Sequence, residues 1–376
     1  MAGGLDDRRI ARSVPPEGLS EVLAGTPYRA LRLMARGGMG DVYLAVHREL
    51  GQEVVIKVLS AELVGTSTLV ERMRLEGQAL AALHHPNIVA VRDFGRSASG
   101  RPFLVMDRLQ GATLEQEVRS QGLPTPRRAV SDVQQMLAAL AATHARGILH
   151  RDIKPSNVFA HRDAQGQRVI KLLDFGIAKV VDPTKGGPVP STPLTADGTV
   201  VGTPRFLSPE QARAQRLDAR ADLYGVGLVL YYLLAGRGPF DHLAGDHEVI
   251  RAHLYETPSP PSRFAPGRVC SDLDAVVLRA LAKVPGERHA TARAFAEDLV
   301  KAAETLGDEG SRPDAGTVAG SGGSVGEASG EPTDEIPTRT AARLPARSRP
   351  PWLPLLVFAI TVIVVAAAVS ELFQLQ

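Results

Sequence analysis

The chain has 376 residues, enough for one large or two modest domains together with tails. Its 43 Lys and Arg residues nearly balance its 41 Asp and Glu residues, and a net charge of +2 gives no general basic field for binding nucleic acid. Cys270 is the only cysteine, which excludes an intramolecular disulfide and a multi-thiolate metal site and suits a reducing cytoplasm.

Residues 1–27 have mixed charges, two adjacent prolines and few large apolar side chains. They contain no apolar segment of the kind found in signal peptides. The pattern predicts a flexible leader over residues 1–27.

From Tyr28 to about Leu299 the chain is continuously patterned. The first third is rich in β-branched runs, and a turn at Gly51 between two of them predicts a hairpin. The strand signals cover residues 42–46, 54–59, 88–91 and 103–106. The helical spacings cover residues 69–83, 130–145, 221–234 and 273–282. A strand-rich beginning and a helical remainder predict an α+β fold with two lobes, joined near Asp107–Leu109.

The last part of the chain changes composition twice. Residues 302–351 are Gly, Ser, Pro and charge, which predicts a disordered linker because such a stretch cannot bury enough apolar surface to fold. Residues 353–369 are then almost wholly apolar, with Trp352 at an interfacial position, and predict a transmembrane helix over residues 352–372. The rival interpretation, a buried core helix, would need a domain around it.

The orientation of this span follows from its flanks. Arg343, Arg347 and Arg349 precede it, whereas Glu371 is the charged residue that follows. The positive-inside rule therefore predicts that the patterned region lies in the cytoplasm and that the protein is a single-pass protein of the cytoplasmic membrane.

Two polar runs lie in the middle of the chain. The run His150-Arg151-Asp152-Ile153-Lys154-Pro155-Ser156-Asn157 is followed, seventeen positions after the Asn, by Asp174-Phe175-Gly176. A carboxylate base, a cation two residues later and two oxygen ligands of the kind that Mg²⁺ prefers are what phosphoryl transfer from a nucleotide needs in one place.

These runs match the H-R-D-x-x-x-x-N and D-F-G motifs of protein kinases, and the chain resembles a bacterial eukaryote-like (Hanks-type) Ser/Thr protein kinase. The resemblance covers residues 28 to about 300. It implies a bilobal kinase domain over 28–301, with a small β-rich N-lobe (28–108) and a larger helical C-lobe (109–301). It also implies ATP with Mg²⁺, or Mn²⁺ in its place, and transfer of the γ-phosphoryl group to Ser or Thr hydroxyls of proteins.

The resemblance assigns a role to each polar residue of the two runs. Asp152 would accept the proton of the substrate hydroxyl, and Lys154 would contact the γ-phosphate and marks Ser/Thr-directed loops. Asn157 and Asp174 would supply oxygens to Mg²⁺.

A lysine on a predicted strand completes the expected charge set. Lys57 is the last residue of Val54-Val55-Ile56-Lys57, a run that matches the V-A-I-K motif of the family. By this resemblance, its side chain would reach the α- and β-phosphates of ATP. Glu76 on the next helix is its expected acid partner, and Glu71 is the alternative.

Between two strand-like flanks the chain resembles the glycine-rich loop that covers the phosphates, because glycines let backbone N–H groups approach. The loop residues are Ala35, Arg36, Gly37, Gly38, Met39, Gly40 and Val42. Ala35 stands where the family has its first glycine, and Val55 where it has alanine. The same resemblance implies an adenine pocket. Met106 would be the gatekeeper residue, and the backbone of Asp107 and Leu109 would form hydrogen bonds with adenine. The ring would lie between the apolar side chains of Val42, Val55 and Phe159.

The Pro- and Gly-rich stretch between Asp174 and Ser208 is the expected activation loop. Thr195 is the first choice of regulatory phosphosite and Thr199 the second, with Arg151 as the cation that a phosphate would recruit. Thr203 would shape the substrate pocket and contact Asp152. Structural support is expected from the ion pair of Glu210 with Arg288 and from Asp222, which would hold the backbone of the His150-Arg151 turn.

Two other functions remain open from the sequence. A pseudokinase acting as a nucleotide-sensing or docking module is favoured only by Ala35 and Val55, and a small-molecule kinase is disfavoured by Lys154 and by Ser208-Pro209-Glu210. The expected partners are substrate proteins and the membrane, with no nucleic acid. Relatives commonly dimerise through the smaller lobe, so the resemblance leaves a homodimer through the N-lobe open, although no pattern here points to it.

Overall fold

The computed structural model describes residues 19–37, 40–60, 71, 74, 77–78, 81–175 and 204–306. These residues belong to one unit. Gly38, Met39, Glu76, Gly176, Thr195, Thr199 and Thr203 lie outside the described residues, as do the predicted linker from residue 307 onward and the predicted span over 352–372.

The N-terminal part is a five-stranded antiparallel sheet with the strand order β1-β2-β3-β5-β4. Its strands are β1 Tyr28–Gly37, β2 Gly40–His47, β3 Glu53–Leu59, β4 Val91–Arg96 and β5 Pro102–Asp107. The predicted hairpin corresponds to β2 and β3, and Gly51 adopts a φ of +65° in the turn between them.

The two faces of this sheet have different roles. Val54, Ile56 and Val58 of β3 are buried in one apolar cluster. Since side chains alternate along a strand, Val55 and Lys57 project from the opposite face. Lys57 is therefore held at a fixed place on a rigid strand.

A short helix, α1 (Leu19–Val22), precedes the sheet. Leu19 and Val22 pack against the buried cluster of the sheet, Leu23 is 1 % exposed within it, and the Ala98 amide donates to the Ala24 carbonyl at 2.8 Å. The prediction of a flexible leader is thus wrong for residues 19–27, because three apolar side chains at helical spacing find a surface to bury against.

The C-terminal part is mainly helical. Its helices are α2 Leu114–Gln121, α3 Pro126–His144, α4 Pro209–Ala212, α5 Ala219–Ala235, α6 Asp246–Tyr255, α7 Ser271–Ala280 and α8 Ala292–Glu304. A second sheet, in the order β6-β7-β8, consists of β6 Gly111–Thr113, β7 Val158–Arg162 and β8 Arg168–Leu172. Helix α5 is buried over most of its length and packs against α3 and α7. The predicted two-lobed α+β architecture is confirmed.

Two predicted boundaries differ from the structure. Ile88 and Val89 do not belong to a sheet strand; the Val89 amide donates to the carbonyl of Leu172 at 3.1 Å, and β4 begins only at Val91. At the other end, α8 runs past residue 301 and Leu306 is still buried, so the folded region extends beyond the predicted domain limit.

Among the described helices, none is both long enough and apolar enough to cross a membrane.

Helix α5 contains a glycine at a contact that leaves no room for a side chain. A Cβ on Gly225 would lie 2.8 Å from the Cβ of Ile153, in the middle of the first polar run. The missing side chain lets this run lie directly on α5, a helix that is buried over most of its length.

We expect Gly225→Ala to lower the free energy of unfolding by about 1–3 kcal/mol, the usual effect of overpacking. Helix propensity alone would favour alanine by about 1 kcal/mol, so a net loss isolates the contact with Ile153. Urea unfolding followed by circular dichroism measures it. Gly286→Ala is the control, since its added Cβ meets no atom of the described residues within 4 Å; equal stability of both variants would contradict the explanation.

Candidate active site

A buried carboxylate fixes the backbone at the start of the first polar run. Asp222 of α5 is 2 % exposed and accepts hydrogen bonds from the backbone amides of His150 and Arg151, each at 2.8 Å. The Nε2 atom of His144 lies 2.8 Å from the same carboxylate. Arg151 adopts a φ of +63°, which is uncommon for a residue with a side chain and persists here because Asp222 holds its own amide and that of His150.

His150 connects the two polar runs. Its ring is fully buried, lies 4.4 Å from the ring of Phe175, and places Nε2 2.8 Å from the Leu173 carbonyl. Burial, the largest effect, lowers the pKa of His150, so the imidazole is neutral near pH 7. Nε2 then carries the proton and donates to Leu173, which leaves Nδ1 to accept from the Asp152 amide at 3.3 Å.

The predicted base is held by the predicted cation and the predicted metal ligand. Lys154 Nζ lies 3.1 Å from Oδ2 of Asp152. The amide nitrogen of Asn157 donates to both the carbonyl and Oδ2 of Asp152, each at 2.8 Å. The three side chains therefore meet in one place.

The second predicted metal ligand faces the N-terminal sheet. Asp174 adopts a φ of +45°, and its Oδ1 lies 2.9 Å from Nζ of Lys57 on β3. The ion pair joins a strand of the sheet to the second polar run of the helical part. Lys57, Asp152, Lys154, Asn157 and Asp174 are thus the charged and polar residues of one interlobe site.

The donor atoms of this site fit a magnesium ion. Because Asn157 uses its amide nitrogen for Asp152, the amide oxygen remains as its metal-type ligand. One carboxylate from Asp174 and one amide oxygen form a sparse set of hard ligands. Such sets suit Mg²⁺, which usually retains waters and substrate phosphates in its coordination sphere.

Within the helix predicted over 69–83, the described residues 71, 74, 77, 78 and 81 are helical, whereas residues 82 and 83 already lie beyond its end. Glu71, the alternative partner of Lys57, is exposed and pairs with Arg74 at 2.6 Å. Gly77 is buried, and a Cβ there would lie 3.6 Å from Leu104 of β5. This face of the helix therefore packs on the sheet next to β3, while Glu76 remains a prediction.

The residues predicted to surround the adenine lie on neighbouring strands. Val55 is opposite Met106 in the register of β3 and β5. Val42, Val55 and Phe159 are all partly exposed, as a surface that faces an open cleft requires. The Asp107 amide donates to the Ala90 carbonyl at 3.1 Å, so a bond from Asp107 to adenine would have to use its carbonyl. Leu109 is partly buried against the main core.

The glycine-rich segment has a structural requirement that the sequence did not reveal. Ala35 pairs with Val42, and Arg36 and Gly37 continue β1 to its end. Gly40 has a φ of +144°, and a Cβ on it would lie 2.2 Å from the carbonyl oxygen of Val58. Gly40 is therefore needed for the close approach of β2 to β3 as well as for any approach to phosphates.

A buried ion pair anchors the segment that follows residue 203. Arg288 is 2 % exposed and donates to both oxygens of Glu210, at 2.7 and 2.8 Å. It also donates to the carbonyls of Ala282 and Arg220. The ion pair between Glu210 and Arg288 that the family resemblance implies is thus formed, and the guanidinium group also has backbone hydrogen-bond acceptors.

Two supporting residues were not found from the sequence. Gln211 donates from Nε2 to the Arg151 carbonyl at 2.8 Å, and His144 contacts Asp222. Ser208 and Gln211 form a capping box at α4, which is a recognisable S-x-x-Q pattern. The contact with Arg151, however, spans 60 positions and has no local signal.

Comparisons with known proteins agree with this geometry. The family model described as "Protein kinase domain" matches residues 28–300. The chain belongs to the protein kinase family. The kinase domain is of the bacterial Ser/Thr type by similarity to curated relatives.

One relative, "Serine/threonine-protein kinase pkn3" of Myxococcus xanthus, is 41 % identical over 275 residues, which is 72 % of this chain and 49 % of that protein. "Serine/threonine-protein kinase PknB" of Mycobacterium leprae is 41 % identical over 274 residues, covering 72 % of this chain and 42 % of that protein. The chain therefore spans about half the length or less of these curated relatives.

Solved structures show the same fold. The crystal structure of the Mycobacterium tuberculosis PknI kinase domain matches with a TM-score of 0.59 and 28 % identity, covering 76 % of this chain and 99 % of that one.

We expect Asp222→Asn to destabilise the kinase domain by about 2–3 kcal/mol, because an amide NH₂ group would face backbone donors in a buried site. Urea unfolding measures this loss, and hydrogen exchange should show faster exchange at the amides of His150 and Arg151.

Asp218→Asn is the matched control on the same helix. Asp218 is the exposed N-cap of α5, and asparagine caps equally well, so its stability should change by less than about 0.5 kcal/mol. Equal effects of the two substitutions would show that the buried carboxylate has no special role.

Proposed function

We propose that this chain is an ATP-dependent Ser/Thr protein kinase that transfers the γ-phosphoryl group of ATP to Ser or Thr hydroxyls of proteins. The observation that carries the proposal is the convergence of Asp152, Lys154 and Asn157 opposite the Lys57–Asp174 pair. The relatives named as Ser/Thr kinases support it. Lys154, which marks Ser/Thr-directed loops in the family, supports Ser and Thr over Tyr as the residues that accept the phosphoryl group.

Each side chain has a defined task in this reaction. Asp152 would accept the proton of the attacking hydroxyl as that oxygen bonds to the γ-phosphorus. Lys154, 3.1 Å from Asp152, would hold the γ-phosphate beside that hydroxyl. Lys57 would orient the α- and β-phosphates while the bond from the γ-phosphorus to the bridging oxygen breaks, leaving ADP.

Asn157 and Asp174 are the residues that would hold Mg²⁺. The ion would neutralise charge that develops on the phosphate oxygens. The Asn157 amide would serve two purposes, since its nitrogen holds Asp152 and its oxygen would face the metal.

We further propose that the kinase is activated by autophosphorylation at Thr195 or Thr199. A phosphate adds nearly two negative charges and strong acceptor oxygens. Arg151, next to the base, is the cation best placed in sequence to respond. Asp222 and Gln211 hold the backbone of Arg151 through hydrogen bonds. A movement of Arg151 toward a phosphate would therefore shift the position of Asp152, the next residue.

We also propose that the apolar stretch at 352–372 anchors the kinase to the cytoplasmic membrane, with the kinase domain on the cytoplasmic side. The support is its apolar length, its interfacial Trp352 and the preceding arginines. A homodimer through the N-lobe is a weaker proposal, which rests on the family resemblance.

We expect residues 1–340 to incorporate phosphate from labelled ATP and Mg²⁺, and Asp152→Asn to lower the rate at least about 100-fold, because it removes the base without changing the side chain's shape. Mass spectrometry of residues 176–203 should find phosphate at Thr195 or Thr199 only in the parent.

Asp163→Asn is the control for this substitution. Asp163 accepts from two backbone amides in the turn between β7 and β8, and asparagine retains an acceptor there. If both the parent and Asp152→Asn transfer no phosphate although they bind nucleotide, the chain is a nucleotide-sensing or docking module, or a kinase that needs an activating partner.

We expect the full chain to sediment with membranes after alkaline carbonate washing and residues 1–340 to stay in the supernatant with unchanged specific activity. A full chain that washes off would exclude the anchor. Protease treatment of sealed vesicles tests the orientation, since the kinase domain should be digested only when its side of the bilayer is exposed.

A further inference from the structure

The side-chain amide of Gln211 forms hydrogen bonds through both its oxygen and its nitrogen. Oε1 accepts from the backbone amide of Ser208 at 3.0 Å, and the backbone amide of Gln211 donates to Oγ of Ser208 at 3.3 Å, which together form the capping box of α4. Nε2 takes no part in this cap and donates to the carbonyl of Arg151 at 2.8 Å. One side chain therefore joins the start of α4 to the first polar run, residues 150–157.

The helix that carries Gln211 is itself fixed to the C-lobe. Glu210, the preceding residue, is buried and accepts from both terminal nitrogens of the buried Arg288. Ser208 is buried as well. Because separating a buried ion pair is strongly destabilising, α4 has little freedom to move. The place of Gln211 Nε2 is therefore set by α4, and the polar run is held against it.

The bond to Arg151 acts on a part of the backbone that Asp222 does not hold. Asp222 accepts from the amides of His150 and Arg151, which both precede the α-carbon of Arg151. Rotation about ψ of Arg151 turns the next peptide group, whose amide donates to Nδ1 of His150 at 3.3 Å. Gln211 holds the carbonyl of that same peptide group at a shorter distance. Since the peptide group is planar and rigid, this bond fixes the direction from which the chain enters Asp152.

We propose that Gln211 is a positioning residue for phosphoryl transfer: by holding the peptide group between Arg151 and Asp152, it ties the orientation of the base to α4. This inference rests on the proposed kinase function and adds to it a determinant of the chemical step. Because α4 follows the expected activation loop in the chain, Gln211 is also the link through which the placement of α4 reaches Asp152.

Three substitutions separate the bond to Arg151 from the capping box. Gln211→Glu keeps the oxygen that accepts from Ser208 and replaces the donor by a second oxygen, so only the bond to Arg151 is lost. Gln211→Met loses both side-chain bonds without adding a charge. Ser208→Ala removes the hydroxyl of the cap and leaves both side-chain bonds of Gln211 in place.

The test uses the full chain in detergent, with Mg²⁺-ATP and dephosphorylated casein, and each rate is divided by the amount of protein that binds ADP. We expect Gln211→Glu and Gln211→Met to lower kcat about tenfold, or about 1.4 kcal/mol in activation free energy, because a displaced base slows the chemical step. KM for ATP and for casein should change less than about threefold, since the loss falls on the transition state. Ser208→Ala should keep kcat within about twofold of the parent, since it weakens only the cap.

Two other patterns would overturn the proposal. If Gln211 acts only through the capping box, Gln211→Met and Ser208→Ala lose activity and Gln211→Glu matches the parent. If the added charge is the cause, Gln211→Glu loses activity and Gln211→Met matches the parent. A higher KM with an unchanged kcat in either Gln211 variant would likewise overturn it, because Gln211 would then act in binding.

Hydrogen exchange at the amide of Asp152 gives a readout that does not need activity. Exchange should rise in both Gln211 variants and stay at the parent's rate in Ser208→Ala. If the parent transfers no phosphate, the proposed kinase function fails, while the exchange measurement still decides whether Gln211 holds this peptide group. Unchanged exchange in Gln211→Glu would show that it does not.

Discussion

The proposed active site depends on one buried carboxylate, that of Asp222. It is almost inaccessible to water and has three donors, two of which are the backbone amides that open the catalytic run. A buried charge is stable only when it is well hydrogen-bonded, so the carboxylate and the loop conformation require each other. The positive φ of Arg151 and the orientation of Asp152 follow from that mutual requirement.

The same helix links this loop to the rest of the C-lobe. Gly225 lets Ile153 rest on α5, Tyr224 contacts His253, and the Arg288 guanidinium lies 4.8 Å from the centre of the Tyr224 ring. Two adjacent residues of α5, Tyr224 and Gly225, thus join the catalytic loop, through Ile153, to α6, through His253. Because packed interiors do not deform continuously, a shift of α5 would reach both α6 and the loop that contains Asp152.

The sequence predicted those parts of the fold and site whose signals are local. The β-branched runs gave β3 and most of β2 and β5, and the catalytic motifs brought Lys57, Asp152 and Asp174 to one site. Strand β1 was predicted only as a strand-like flank of the glycine-rich loop and without bounds, because Arg29, Arg32 and Arg36 interrupt its apolar residues. The strand predicted over 88–91 does not form as such, because Ile88 and Val89 are buried next to β8 without belonging to a sheet strand.

The supports of the site were harder to predict for a physical reason. Gln211 contacts Arg151 60 positions away in the chain, and His144 contacts Asp222 78 positions away. Only the fold brings such pairs together, and a buried histidine has no sequence signal that separates it from an exposed one. Asp222, Glu210 and Arg288 were predicted because the family resemblance supplied their pairing, which no periodicity could.

The charges of the proposed site explain why a nucleotide would need a metal. Asp152 is matched by Lys154, and Asp174 is matched by Lys57, so each carboxylate has a cation nearby among the described residues. A triphosphate would draw both lysines toward its own oxygens and leave two carboxylates next to a strongly negative ligand. At distances of a few ångströms and in a partly desolvated cleft, that repulsion amounts to several kcal/mol. A divalent cation between Asn157, Asp174 and the phosphates would remove most of it, while Asn157 still held Asp152 in place. The pairing of these four side chains thus makes metal binding and nucleotide binding interdependent in the proposed kinase.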